Sequence, residues 1–302
     1  MSETNSELVV EGKRLNLSNL NKIFYPKTGF TKHDIIAYYI KIAPFLLPHL
    51  KNRALTMKRF PEGIHQFFFY ERRCPSYRPN WVNTVQVHSK TQGTLRYCTI
   101  NNLPTLIWLV NLADLELHTS LATAKNPDRP TMIVFDLDPG SPATIYECAE
   151  VALLIRQKLS QLELKSWIKT SGSKGLQLYI PLNSPVTYDK TKSFAHILAK
   201  EMEKKHPKKI VSRMAKNLRT GKVLIDWSQN DFHKTTICAY SLRAKEAPTV
   251  STPVTWEEVE KAYRQKKMEY LNFTSDDVLQ RVQKWGDLMA DVLTFKQKLP
   301  NL

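Results

Sequence analysis

The segment MIVFDLDPGSP, residues 132 to 142, sets Asp136 and Asp138 two positions apart at the end of an apolar run. In an extended strand residues i and i+2 leave the same face, so both carboxylates point one way. At a separation of about 5 Å and an effective dielectric of about 20, their repulsion is about 3 kcal/mol, and something positive must offset it. A plainer reading makes Asp138 the start of a Pro-Gly turn and Asp136 a cap or the partner of an arginine. VLIDWSQN weighs against it, because Asp226 ends a second apolar run in the same relative position. If the two runs are neighbouring strands, three carboxylates converge, an oxygen donor set suited to hard divalent cations. Two Mg²⁺ or Mn²⁺ ions held in this way stabilise both the attacking and the leaving oxygen of a phosphoryl displacement.

Such a site also needs cations for the remaining phosphates. SGSKG, residues 171 to 175, falls between two short apolar runs and offers Ser171, Lys174 and glycines whose amides can approach phosphate. It is not a P-loop, since Lys174 does not follow GxxxxG and no helix opens after it; alone, it reads as a hairpin turn. Arg219 in NLRTGK, Gln229 in DWSQN and Arg243 in YSLRAK add donors near the third acid. QFFFYERR is a candidate stacking platform flanked by cations, although alternating aromatics are commonly core. His118, a lone histidine after an apolar run, reads first as an interior or edge residue. KEMEKKHPKK reads as a solvated helix end with non-specific contact to DNA.

The elements that would position these groups alternate without a regular βαβ rhythm. A helix opens at Thr31 with Asp34 as its capping-box acid, and Pro44 and Pro48 are expected to interrupt it. Residues 54 to 60 and 66 to 70 read as strands, and residues 86 to 100 as a hairpin turning at Gln92 and Gly93. TMIVFDL is a strand, followed by a helix with Ser141 as N-cap and Pro142 in its first turn. SWIKT and LQLYIPL are short strands, residues 189 to 206 a helix and KVLIDWS a strand. Two C-terminal helices begin near Thr255, with Glu258 completing a capping box, and near Ser275. This order predicts an α+β fold with an open antiparallel or mixed sheet flanked by helices. No repeat, low-complexity tract or strong linker interrupts it.

Composition narrows the partners. The 302 residues are 42% hydrophobic, enough for a sizeable core, and 44 Lys and Arg against 28 Asp and Glu give a net charge of +16. A disordered tail is excluded, and a polyanion, nucleic acid first, is the expected partner. No apolar stretch approaches the roughly 20 residues needed to cross a bilayer, and the N-terminus lacks a signal-peptide core. A cytoplasmic protein without a membrane partner is expected. Cys74, Cys98, Cys148 and Cys238 form no CxxC pair and have no histidine at ligand spacing, so neither a zinc site nor a disulfide framework is expected and each reads as a small hydrophobe.

Taken in order, LSNLNKIFYPKTGFTK, LTMKRFPEG, LELH, FDLDPG, TSGSKGLQLYIPL, DWSQN and YSLRAKEAPTVSTPVTWEE resemble the polymerase domain of bacterial DNA ligase D, in the archaeo-eukaryotic primase superfamily. FDLDPG alone is weak; the ordered set, spanning residues 17 to 258, is specific. The resemblance implies a single primase-polymerase domain over residues 1–302, with an N-terminal subregion to about 125 that contacts DNA and a catalytic core from about 126. It implies a nucleotidyl transferase that extends a primer at a DNA break, fills gaps with nucleoside triphosphates, prefers ribonucleotides and Mn²⁺, and works in end joining with the Ku protein and a ligase domain in cis or in trans. The family's metal-binding carboxylates fall on Asp136, Asp138 and Asp226. Ser171, Lys174, Gln229 and Arg243 fall on triphosphate positions, with Lys58 a further contact and Arg219 grouped with them. Phe69 falls where an aromatic stacks on the base, and His118 on a histidine close to the incoming nucleotide. Lys22 and Lys32, with Asn19 beside them, match a basic pair that recognises the 5′-phosphate across a gap, where two ammonium groups reward the extra charge of a terminal phosphate. The sequence departs from the pattern at Gln177, where many members carry histidine; glutamine donates a hydrogen bond but carries no charge.

Two rival readings make different demands. A phosphatase of the haloacid dehalogenase type uses a DxD after an apolar strand, but that motif continues with a Gly-Thr turn near the N-terminus, whereas Pro139 and Gly140 follow here at mid-chain. A non-catalytic DNA-end-binding module needs only the basic charge and the Lys22 and Lys32 pair, and leaves three strand-end acids unexplained.

Overall fold

The computed structural model describes residues 6–89 and 93–300. The chain divides into two compact units. One runs to Ser120 and includes Ile237–Val250 and Thr274–Gly286; the other comprises Leu121–Thr236, Ser251–Phe273 and the chain from Asp287.

In the first unit, β1 (Ser6–Val10) and β2 (Lys13–Leu17) pair as a hairpin, and β3 (Ile23–Tyr25) pairs with β4 (Phe30–Thr31). Helix α1 (Lys32–Leu50) follows, with Thr31 as N-cap and a full capping box to Asp34, as its sequence predicts. The expected break at Pro44 and Pro48 does not occur: both prolines stand on the exposed side, four residues apart. The buried stripe of Tyr39, Ile42, Ala43, Leu46 and Leu50 carries the helix past them. Burial of those side chains offsets the backbone hydrogen bonds that proline removes. Next come β5 (Leu55–Arg59), β6 (Phe69–Glu71), β7 (Thr84–Ser89), β8 (Gly93–Cys98), α2 (Leu103–Asn111) and β9 (Asp114–Thr119). β6 is shorter and later than the expected strand over 66 to 70. β7 and β8 form the expected hairpin, of whose turn Gly93 is described and Gln92 lies outside the described residues.

The cysteines correct an expectation. Cys74 and Cys98 form a disulfide with Cα atoms 4.9 Å apart, while Cys148 and Cys238 are buried and belong to no disulfide. The cause is tertiary: the Cys74 amide donates to the Arg96 carbonyl at 2.7 Å, folding the loop after β6 onto the end of β8. A spacing of 24 residues carries no local signature of that pairing.

The second unit contains β10 (Ala122–Thr123), β11 (Asn126–Pro130), β12 (Met132–Pro139), α3 (Ile145–Gln161), β13 (Trp167–Thr170), β14 (Leu176–Pro181), α4 (Tyr188–Lys205), β15 (Ile210–Val211) and β16 (Val223–Asp226). The chain then continues through β17 (Thr236–Ile237), which pairs beside β9 in the order β17-β9-β5-β6. It returns to the second unit as β18 (Pro253–Val254) and α5 (Trp256–Gln265), and to the first as α6 (Ser275–Trp285). A six-stranded sheet of order β15-β16-β12-β14-β13-β18 organises the second unit, antiparallel at every pairing except β15 with β16. One face of it, with Ile133, Phe135, Leu137, Leu176, Leu178, Val223 and Ile225, is buried against apolar residues of α3, α4 and α5. Alternation along the strands leaves Asp136 and Asp138 on the opposite face. The helix after β12 opens later than expected, at Ile145, because Thr144 and Glu147 form its capping box; Ser141 and Pro142, joined by a cis peptide, belong to the preceding turn. The N-cap at Thr255 with Glu258 and the helix start at Ser275 are as the sequence predicts. The α+β expectation therefore holds.

Candidate active site

The register of the six-stranded sheet answers whether the acid-bearing strands are neighbours. β12 and β16 pair directly, with Asp136 opposite Asp226. Directly opposed residues in antiparallel strands have Cβ atoms about 4.5–5.5 Å apart, so two carboxylates 90 positions apart in the chain become close neighbours. The line continues across the sheet: Gln177 of β14 lies opposite Asp136, and Lys169 of β13 lies opposite Gln177. Asp136 and Asp226 are half-buried and Asp138 is exposed. Burial and the charges of Asp138 and Asp226 push the Asp136 pKa up to about 7, against the pull of the Gln177 hydrogen bond and the Lys169 ammonium. Gln177 donates to Asp136 and accepts the Tyr179 hydroxyl at 3.3 Å. Lys169 is fully buried, donates to the Ser251 hydroxyl and lies 5.6 Å from the centre of the Tyr179 ring. Sequence reasoning missed Lys169; a charged residue at mid-strand in SWIKT was its only signal.

Asp226 is held by its own turn. Oδ1 accepts from the Ser228 amide at 2.9 Å and the Ser228 hydroxyl at 2.6 Å, and Oδ2 from Gln229 Nε2 at 2.9 Å. Gln229 is thus brought to the third acid, as a support for it. Among the described residues no group of three or more Asp, Glu, His or Cys side chains is already closed around one point as a metal cage. The donor set nevertheless fits a hard divalent ion. Its oxygens are carboxylates on one sheet face, and burial together with their mutual repulsion raises Asp136.

Two glycines fix the loops beside the acids. At Gly175 of SGSKG an added Cβ would stand 1.9 Å from the Leu137 carbonyl oxygen, and at Gly140 of FDLDPG 2.0 Å from that of Arg219. The SGSKG turn, the acid strand and the segment carrying Arg219 therefore touch backbone to backbone, a contact only glycine permits. The Ser171 hydroxyl accepts from the amides of Ser173 (3.2 Å) and Gly175 (3.1 Å), so it shapes the turn. Lys174 is exposed at the turn's tip, on the rim of a pocket of about 460 Å³ that Pro139, Thr144 and Ser173 also line. Arg219 donates to the Met214 carbonyl.

In the first unit a buried acid organises another set of expected residues. Glu116 of β9 is 1% exposed and lies opposite Lys58 of β5. Its Oε2 is 3.4 Å from Lys58 Nζ and 3.1 Å from His118 Nε2; its Oε1 is 3.3 Å from Arg243 Nε and accepts the Ala244 amide at 3.0 Å. Burial alone would raise its pKa, but the His118 hydrogen bond and the charges of Arg243 and Lys58 hold it well below the usual carboxylate range. Lys58, His118 and Arg243 are thus brought together. Phe69 is not: it pairs with Arg59 and so faces away from Lys58, stacked on Phe67 with the Arg59 guanidinium 5.2 Å from its ring. The rings beside Lys58 are Phe60, Phe68 and Tyr70, at 5.0, 4.6 and 5.7 Å, and Tyr70 meets the edge of His118. Sequence reasoning quoted LELH for its histidine and passed over Glu116.

Asn19, Lys22 and Lys32, also in the first unit, are linked through their backbones. The Lys22 amide donates to the Asn19 carbonyl and the Lys32 amide to the Lys22 carbonyl, at 3.0 and 2.9 Å, and Asn19 takes a left-handed conformation to make the turn. Lys22 Nζ bonds Glu62 and the Pro61 carbonyl, and Lys32 Nζ the Ser18 carbonyl at 2.7 Å.

Comparison with known proteins finds relatives over most of the chain. A family profile described as LigD, primase-polymerase domain, matches residues 31–289. The chain is 39% identical over 280 residues to the multifunctional non-homologous end joining protein LigD of Mycolicibacterium smegmatis, covering 92% of this chain and 36% of that protein. It is 35% identical over 289 residues to the bifunctional non-homologous end joining protein LigD of Bacillus subtilis, covering 95% and 45%. The chain thus spans less than half the length of these curated relatives. The solved polymerase domain of Mycobacterium tuberculosis ligase D in complex with DNA matches with a TM-score of 0.86 at 36% identity, covering 94% of this chain and 99% of that one.

Proposed function

Because the chain belongs to the LigD primase-polymerase domain family, we propose that it is a DNA-dependent nucleotidyl transferase. It extends a primer 3′-hydroxyl with nucleoside triphosphates, ribonucleotides preferred, to fill gaps and process ends in non-homologous end joining. The pairing of Asp136 with Asp226, with Asp138 on the same face, carries the reading. Asp136, Asp138 and Asp226 hold two divalent ions, Mn²⁺ or Mg²⁺, which supply charge neutralisation and a lowered hydroxyl pKa when bound. Gln177, where relatives often have histidine, orients Asp136 through its amide. Ser171, Lys174, Arg219, Gln229, Lys58, His118 and Arg243 are assigned to the nucleotide site, Ser171 and Gln229 acting through the loops they shape and the cations by neutralising the triphosphate and the departing pyrophosphate. The base contact first assigned to Phe69 fits Phe68 or Tyr70 better, since those rings share the face of Lys58 and His118. Asn19, Lys22 and Lys32 bind the 5′-phosphate on the far side of a gap. Residues 1–302 act as one primase-polymerase module, with Ku and a ligase domain, in cis or in trans, as partners at DNA ends in the cytoplasm. Among the described residues no helix is long and apolar enough to cross a membrane.

The test is extension of a labelled primer opposite a short gap, with ribo- or deoxyribonucleotides, Mn²⁺ or Mg²⁺, and with or without a downstream 5′-phosphate. Extension stimulated by the phosphate and favoured by ribonucleotides is expected. DNA binding without extension under any ion would overturn the polymerase reading in favour of an end-binding module, and phosphate release without extension would favour a phosphatase.

A further inference from the structure

Glu116 is surrounded by groups of different kinds, and that determines what each can offer outward. The neighbouring Lys58 and Arg243 cations favour the ionised form of Glu116, and an ionised carboxylate only accepts hydrogen bonds. His118 Nε2, 3.1 Å from Oε2, must therefore carry the proton. The ring itself is neutral at neutral pH: burial lowers its pKa, Arg243 and Lys58 lower it further, and Glu116 offsets them only in part. A neutral imidazole protonated at Nε2 has a lone pair at Nδ1, and no residue among those described bonds it.

We propose that Glu116 is a positioning residue that locks His118 in the Nε2–H tautomer, so that Nδ1 accepts a hydrogen bond from a hydroxyl of the nucleotide sugar. The proposal rests on the polymerase reading above for its ligand, and on the Glu116 geometry for its tautomer. Phosphate is excluded as the Nδ1 partner because both are acceptors; Lys58 and Arg243 are the groups suited to phosphate. A base N–H is excluded because a template-directed enzyme takes all four bases, and the O–H donors common to all four nucleotides are those of the sugar. Glu116 thereby divides the work of its neighbours, cations for the phosphates and a neutral acceptor for the sugar.

Nitrogen-15 NMR of the imidazoles, with His118→Gln used to assign the signal, reads the tautomer without any turnover. The Nε2–H form is expected in the wild-type protein and in Glu116→Asp, which keeps the charge, and a mixture of tautomers in Glu116→Gln. In primer extension, Glu116→Gln is expected to lower the kcat/KM preference for ribonucleotides over either 2′-deoxy or 3′-deoxy nucleotides by roughly 3- to 10-fold, the worth of one hydrogen bond. Glu116→Asp should restore much of that preference, whereas a merely structural defect would leave the preference unchanged. A wild-type His118 that is doubly protonated, or protonated at Nδ1, would overturn the proposal. So would unchanged discrimination against both deoxy analogues in Glu116→Gln. Absence of all nucleotide turnover by the wild-type protein would overturn the polymerase reading and the sugar contact with it, while the Nε2–H form in that same protein would uphold Glu116 as the group that sets the tautomer.

Discussion

Lys32 is 5% exposed, and burial together with the neighbouring Lys22 ammonium lowers its pKa to about 8 from 10.5. Below pH 8 both folded and unfolded chains carry the proton, and the folded protein bears the full cost of a buried charge. Between about pH 8 and 10.5 the unfolded chain still holds a proton that the folded one has released, so stability rises with pH across that window. Lys32→Met should therefore stabilise the protein at pH 7 by up to about 3 kcal/mol and flatten the rise above pH 8, measured by urea denaturation at several pH values. The same substitution should weaken selection of 5′-phosphorylated gaps; an unchanged preference would remove Lys32 from that site. A lysine retained at a cost to stability is what a phosphate-binding role would explain. Asp136 runs the other way in pH, since its raised pKa makes folding less favourable as pH climbs from about 4 to 7 in the absence of a bound ion.

The strands and loops of the second unit hold the acids through contacts that leave no room for change. Gly175→Ala would drive a methyl group into the Leu137 carbonyl and Gly140→Ala into that of Arg219. Each should cost about 1–3 kcal/mol of stability and reduce extension, checked by thermal unfolding alongside primer extension; a variant with unchanged Tm would show that the loops separate freely. Much of this scaffold was legible in the sequence. Apolar runs gave β12, β13, β14 and β16, and capping boxes gave the starts of α1 and α5. What the sequence concealed was non-local. Nothing in FDLDPG states that Asp136 will face Asp226, because register is set by the whole sheet. The same holds for the Cys74–Cys98 disulfide, for Lys169 behind Gln177, and for Glu116, whose role appears only when Lys58 and Arg243 arrive from two other segments to join His118 of its own strand. Local rules also misplaced the start of α3, where Thr144 with Glu147 outcompetes Ser141 as the cap, and the end of α1, where exposed prolines were overridden by a buried stripe.

For the molecule as a whole, a net charge of +16 implies binding to DNA that weakens steeply with salt, with the logarithm of affinity falling linearly with that of salt concentration. Fluorescence anisotropy between low and physiological salt checks this. Ions that bind the folded acids and not the unfolded chain should raise Tm with their concentration. Mn²⁺ should do so for the wild-type protein and much less for Asp136→Asn, which should also lose extension by about three orders of magnitude or more while keeping DNA affinity. An equal Mn²⁺ shift in both proteins would place the ion elsewhere. The strand order bears on synthesis as well. β12 lies between β14 and β16, and residues 223–226 leave the ribosome about 40 positions after β14 is complete. Until then one edge of β12 has no partner, and an apolar strand with an open edge invites pairing with another chain. Asp136 and Asp138 put two negative charges on that edge, the kind of feature that discourages such pairing. Under the proposed function the acids would thus serve twice, in the finished site and against aggregation of the unfinished sheet.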